Sequence, residues 1–338
     1  MNIQKCLLLS VVFGAASALS AQSTTLLDDT FTTGATGPFT TTSTTTIHAG
    51  IGTQNPQSSL SNPVSSAEWF GIGSSATSTE NYTQGVGVSS ATSGATVSQG
   101  VIAYFEAPGQ QASLNVGDSI SAAVTFQYAT APANSSFGLH FSLLNSGSTG
   151  TQNNQTTVEM GTTTAIGGVA AENYSGYYAQ INPNVSTNTV GADSIFYRPT
   201  GPTVSTSWVG SNGGSTPLNT PATGPFASLG TDKYKAVLDL TRTNATTDTL
   251  TLNLFDLSQV GDPDVAAYDV SDTTTSLVNA FDTVDIGFGT AGPVTVSEVT
   301  VGTITAIPEP STYAAILGAA TLGLVAFRSR RQRRMLAA

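Results

Sequence analysis

The chain has 338 residues, 39% of them hydrophobic and only 9% charged, with 34 Gly. Twenty-one acidic residues against ten basic ones give a formal net charge of −11, a balance that excludes the positive surface nucleic acid requires. Two His and one Cys rule against a Cys/His metal site or a thiol enzyme, while the length suffices for one large all-β domain or two smaller ones.

The charges are segregated. Residues 22–306 hold 20 acids and four bases (Arg198, Lys233, Lys235 and Arg242), a net of −16, whereas residues 311–338 hold five Arg and no acid. An acidic body joined to a basic tail belongs in two environments.

Residues 1–21 read as a secretory signal. Lys5 gives a positive start, Cys6 to Phe13 an apolar run, and Ala15 to Ala21 a small-residue stretch. That pattern predicts passage through the Sec translocon and removal by signal peptidase between Ala18 and Ala21. Cleavage would take away the only Cys, leaving a mature chain stabilised by packing alone.

From 22 to 306 no 3.6-residue apolar period is sustained; period-two segments recur instead. The opening Leu27 to Phe31 and the later Ala67 to Phe70 suit early strands. Ile120, Ala122, Val124, Phe126 and Tyr128 alternate with small and polar residues. Phe137, Leu139, Phe141 and Leu143 predict an inward face, with Gly138, His140 and Ser142 facing solvent or a groove. Tyr234, Ala236, Leu238 and Leu240 lead through Thr246–Asp248 into Leu250, Leu252 and Leu254, a hairpin. Val284, Ile286 and Phe288 come next, then Val294/Val296 and Val299/Val301, whose parity flip at Ser297-Glu298 predicts a bulge. Such strands, separated by Gly, Asn, Ser and Thr turns, predict an all-β passenger, an antiparallel jelly-roll or lectin-like β-sandwich over residues 22–306. A β-helix is the alternative, but no fixed repeat is visible. The Thr run 40–46 and the Pro/Gly stretch 201–225 read as loops.

Catalytic patterns are thin in this body. A Ser nucleophile needs a His base, and neither His48 nor His140 stands beside a Gly-x-Ser-x-Gly elbow. A glycosidase needs two carboxylates; Glu68, Glu106, Glu159 and Glu172 offer no i, i+2 pair with a third acid nearby. The expectation is therefore a non-enzyme, with a polysaccharide hydrolase or lyase as the alternative. Asp262, Asp264 and Asp269, with Asp272, are hard oxygen donors expected on a flexible loop and are the candidate calcium ligands, Asp28-Asp29 being a second set. Sugar C–H faces pack on aromatic rings, so Trp208, Tyr177 and Tyr178 are the candidate carbohydrate contacts, Trp69 beside Phe70 reading as core.

The carboxyl end has three parts in order. Pro308-Glu309-Pro310 comes first, then the uncharged run Ser311 to Phe327, then Arg328, Arg330, Arg331, Arg333 and Arg334. Seventeen residues make a helix of about 25 Å, the short end for a bilayer core of about 30 Å. The Arg cluster predicts a cytoplasmic stop, with the acidic body outside.

This three-part terminus, residues 307–334, resembles the PEP-CTERM sorting signal of Gram-negative bacteria, and Ser311-Thr312-Tyr313-Ala314-Ala315 is similar to the form common in Verrucomicrobia. The resemblance implies an exosortase, a membrane-embedded cysteine peptidase or transpeptidase, as partner. It implies cleavage near Pro308-Glu309-Pro310 and delivery to the cell surface or an extracellular polysaccharide matrix. A simple single-span anchor is the alternative.

Overall fold

The computed structural model describes residues 21–32, 37–38, 69–73, 80–90, 99–107, 109–132, 138–147, 160–161, 174–182, 194–200, 216–218, 229–261, 264–272, 277–289, 292–306 and 318–328. Residues Ser23–Ile304 form one compact unit.

The strands begin with β1 Gln22–Asp29, β2 Gly37–Pro38, β3 Phe70–Gly73, β4 Glu80–Thr83, β5 Gly87–Ser90 and β6 Gln99–Tyr104. Next come β7 Ala112–Ser113, β8 Ser119–Tyr128, β9 Leu139–Asn145, β10 Met160–Gly161, β11 Ser175–Ile181 and β12 Ser194–Arg198. The remainder are β13 Thr216–Pro217, β14 Lys233–Asn244, β15 Thr247–Asp256, β16 Asp264–Asp272, β17 Ala280–Phe281, β18 Thr283–Phe288 and β19 Val294–Thr305.

Among the described residues, nine strands make one sheet, ordered β16-β15-β14-β8-β19-β5-β4-β2, with β1 also on β19. Eight make the second, β10-β3-β6-β18-β9-β11-β12-β13, and β17 pairs with β7 alone. β10 runs parallel to β3, while β14 on β15 and β8, β18 on β9, and β19 on β8 are antiparallel.

In the nine-stranded sheet, alternation predicts burial well. Tyr234, Ala236, Leu238 and Leu240 of β14 and Leu250, Leu252 and Leu254 of β15 are buried, while the residues between them are half-buried. The β14–β15 hairpin turns through Ala245-Thr246, with Asn244 opposite Thr247. Asn244 Oδ1 accepts from the Thr246 amide at 2.8 Å, an Asx-type brace that suits this residue to a tight turn. The expected bulge lies in β19, where the register on β8 shifts between Val296 and Glu298. That extra residue lets Val294, Val296, Val299 and Val301 all reach the core. Apolar side chains of both sheets meet there, Val124, Leu238 and Leu252 from one and Phe141, Leu143, Val284 and Ile286 from the other. This is a two-layer β-sandwich.

The eight-stranded sheet departs from simple alternation. The described strands β9, β11 and β18 are buried on both faces. The expectation that His140 and Ser142 face solvent is therefore corrected: both are 1% exposed. Hydrogen bonds from Ser142 to Asp285 and between His140 and Gln180 replace part of the lost water.

The helix 318–328 lies outside the compact unit. Its Leu322, Leu324, Val325 and Phe327 are 61–73% exposed. Among the described residues no helix is long and apolar enough to cross a membrane; the expected span 311–327 is described only from 318 onward.

Candidate functional site

Strand register lines up Ile102, Asp285, Ser142, Tyr178 and Phe196 across the outward face of the eight-stranded sheet. His140 and Gln180 sit opposite each other one row away. Ser142 Oγ donates to Asp285 Oδ1. Tyr178 stacks on Phe196, centroids 4.7 Å apart and planes 4° off parallel, and meets His140 edge-on at 6.2 Å. The Tyr104 and Tyr174 hydroxyls share a hydrogen bond of 2.7 Å.

Burial sets the charge states here. It pushes Asp285 up to about 7, against the Ser142 hydrogen bond and the Arg198 charge, which both pull down. It pulls His140 down to about 4, against the Gln180 hydrogen bond. Arg198, 1% exposed, is likewise lowered by burial, with Asp285 the largest opposing influence.

Among the described residues, Asp285 is the only acid within the eight strands of this sheet. Glycoside hydrolysis takes an acid and a second carboxylate on opposite sides of one bond, which these strands do not supply. Asp285 is buried, hydrogen-bonded to Ser142 and attracted by the Arg198 charge.

Solvent reaches a second feature, at one end of the sandwich. Asn145 closes β9 and Ser175 opens β11, and the two are register partners. Together with Tyr197, Thr200 and the segment 277–280 they line a groove of about 310 Å³. The groove is held from below. Tyr177, the register partner of Tyr197, packs on it at 5.8 Å and donates to Asp248 Oδ2 of the opposite sheet at 3.1 Å. The Val278 amide reaches the Tyr177 hydroxyl at 3.4 Å, and the Asn279 carbonyl accepts from Leu114 N at 2.8 Å. Beside Ser175, Gly176 allows β11 to lie close on β9, since a Cβ there would collide with the Leu143 carbonyl.

The sequence-predicted residues fall differently. Tyr177 and Tyr178 are 0% and 2% exposed, so neither offers a ring to a sugar; adjacent strand residues point to opposite faces, and both faces are covered. Trp69, read as core, is fully buried. Trp208, Asp262, Pro308, Glu309, Pro310, Arg330, Arg331, Arg333, Arg334, His48, Glu68, Glu159 and Glu172 lie outside the described residues. Arg328 ends the exposed helix. Asp264 and Asp269 belong to β16, opposite Phe255 and Thr251, which corrects their placement on a loop. Among the described residues no group of three or more His, Cys, Asp or Glu could hold a metal ion. Tyr197 carries no sequence signal of its own; only the register brings it to the groove.

The architecture is that of an all-β, two-sheet sandwich protein. Residues 306–332 match the family model of the PEP-CTERM protein-sorting motif, so the carboxyl terminus of the chain carries that motif.

No curated protein matches the chain. Solved structures similar to it include the metal-free VIP36 exoplasmic/lumenal domain, at 12% identity and TM-score 0.40, covering 75% of this chain and 91% of that one. Lectin II from Ulex europaeus is similar at 11% identity and TM-score 0.36, covering 70% and 92%. An endo-1,3-beta-glucanase from Streptomyces sioyaensis is similar at 11% identity and TM-score 0.38, covering 86% and 100%. At these scores the sandwich assignment rests on the strand pairing, and function on the chain's own residues.

Proposed function

We propose that this is an exported protein of the bacterial cell surface or extracellular matrix, sorted by an exosortase, with a non-catalytic β-sandwich as its passenger. The observation that carries the reading is the sorting motif at residues 306–332. In this reading residues 1–21 engage the Sec translocon and are removed by signal peptidase, 22–306 are delivered, and 307–334 direct the sorting. The apolar run 311–327 crosses the inner membrane transiently, and Arg328, Arg330, Arg331, Arg333 and Arg334 hold its cytoplasmic end. Support comes from the exposed Leu322, Leu324, Val325 and Phe327 of the helix 318–328, apolar surface that lipid would cover and water would not.

The passenger's role is structural or adhesive, with affinity for the polysaccharide that surrounds it. A body with few charges and many Ser and Thr suits a hydrated glycan. The non-catalytic reading rests on the sequence, where Glu68, Glu106, Glu159 and Glu172 offer no i, i+2 pair with a third acid nearby. Calcium at Asp262, Asp264 and Asp269 forms no part of the reading, since two of them sit within a strand. A glycan array of the purified full-length protein tests the adhesive role, and Trp208→Ala on the same array tests that residue.

A further inference from the structure

The groove at the end of the sandwich has a composition that selects its ligand. Amides (Asn145, Asn279), hydroxyls (Ser175, Thr200) and the half-buried ring of Tyr197 line it, and none of the described lining residues is charged. At about 310 Å³ it is at the small end of ligand pockets, roughly 300 to 1,000 Å³. A phosphate or carboxylate finds no cation there, and a purely apolar ligand would strip water from amides and hydroxyls without replacing their hydrogen bonds. A neutral sugar satisfies both constraints, with hydroxyls for the polar groups and a C–H face for the Tyr197 ring.

The groove is also preorganised. Asn145 Oδ1 accepts from Gln111 Nε2 and from the Gly147 amide, both at 2.7 Å, so the acceptor end of that amide is engaged by protein and its amino end is the donor left to a ligand. The turn after it is fixed by buried Asp282, which takes the Ser146 amide at 2.8 Å and its hydroxyl at 2.5 Å. The opposite wall is pinned through Val278 to Tyr177 and through Asn279 to Leu114. Walls held before binding spare a ligand the entropy of ordering them.

The geometry points to this groove as a binding site for one neutral pyranose unit of an extracellular polysaccharide, with Tyr197 as the stacking platform and Asn145, Ser175, Thr200 and Asn279 as its polar contacts. It rests on the surface-protein reading above and adds a site and a ligand class to it. None of the described lining residues is a carboxylate, so the proposed contacts to the sugar involve no calcium.

The test uses the full-length protein in detergent, titrated with cellobiose and laminaribiose and, as a charged control, a glucuronic acid disaccharide, followed by calorimetry. At least one neutral disaccharide is expected to bind with a Kd of about 1 mM or tighter, unaltered by EDTA, with the charged control at least tenfold weaker. Tyr197→Ala should weaken binding about tenfold or more, the scale of a truncated aromatic anchor. Tyr197→Phe, which keeps the ring and guards against a folding defect, should stay within about threefold. Sugar binding that is indifferent to Tyr197→Ala would overturn the site while leaving the adhesive reading intact. No binding of any neutral sugar at about 20 mM, with the sorting cleavage still observed, would overturn the site and the adhesive role while leaving the sorting assignment standing.

Discussion

Trp69 Nε1 donates a 2.8 Å hydrogen bond to Asp29 Oδ2, joining two fully buried side chains 40 residues apart. The other carboxylate oxygen takes the Phe31 amide at 2.7 Å. Phe31 sits at a φ of 55°, a region that costs a non-Gly residue of order 1–3 kcal/mol unless its surroundings hold it. Trp69 at 5.6 Å, Tyr82 at 6.2 Å and the Tyr82 hydroxyl on the Phe31 carbonyl at 2.9 Å are those surroundings. Asp29→Ala removes the acceptor for two buried donors and should lower stability by about 2–4 kcal/mol. Urea denaturation followed by Trp fluorescence reads the loss; a change under about 0.5 kcal/mol would show that the pair is incidental.

The buried polar row gives opposing pH dependences. Asp285 has a folded value near 7, above its unfolded value. The folded state therefore binds the extra proton, and stability falls as pH rises from about 4 to 7. Asp285→Asn removes that penalty, so its melting temperature relative to wild type should improve between pH 4 and pH 8. His140 has a folded value near 4, below its unfolded value. The unfolded state then binds the extra proton, and stability is lost as pH falls from about 6.5 to 4. His140→Gln should gain on wild type in that acid direction. Differences for either variant that do not change with pH would contradict the assigned burial.

Tyr177 is a brace under the groove. Tyr177→Phe keeps its packing on Tyr197 and Phe281 but loses the bonds to Asp248 and Val278. A stability loss of about 1–2 kcal/mol is expected, with faster amide exchange at Val278. Unchanged exchange there would show that the segment 277–280 is held by other contacts.

Calcium is tested by chelation. Asp264 and Asp269 are five positions apart on β16, so no loop folds them around one ion. Addition of EDTA should leave the melting temperature where it was. A fall on chelation, restored by calcium, would reinstate the Asp262, Asp264 and Asp269 site.

Much of the scaffold was legible because local pattern and tertiary burial agree in it. Alternation at Tyr234–Leu240 and Leu250–Leu254, the hairpin between them and the parity flip at Ser297-Glu298 all carry over directly. The site was not legible, for a physical reason. Polar residues in a strand ordinarily mark a wet face, yet His140, Ser142, Gln180 and Asp285 bond among themselves and are buried. Tyr177-Tyr178 looked like an exposed aromatic pair for the same reason: sequence spacing says nothing of a second covered face. Tyr197 reaches the groove only through its register opposite Tyr177, a long-range pairing that no local pattern encodes.

The proposed sorting fixes where the chain is cut and where it is carried. Mass spectrometry of the protein recovered from the cell surface or matrix reads it directly. A new carboxyl terminus between Pro308 and Ser311, with an amino terminus between Ala18 and Gln22, is the expected result. Surface material that still carries Arg328 to Arg334 would contradict sorting by an exosortase.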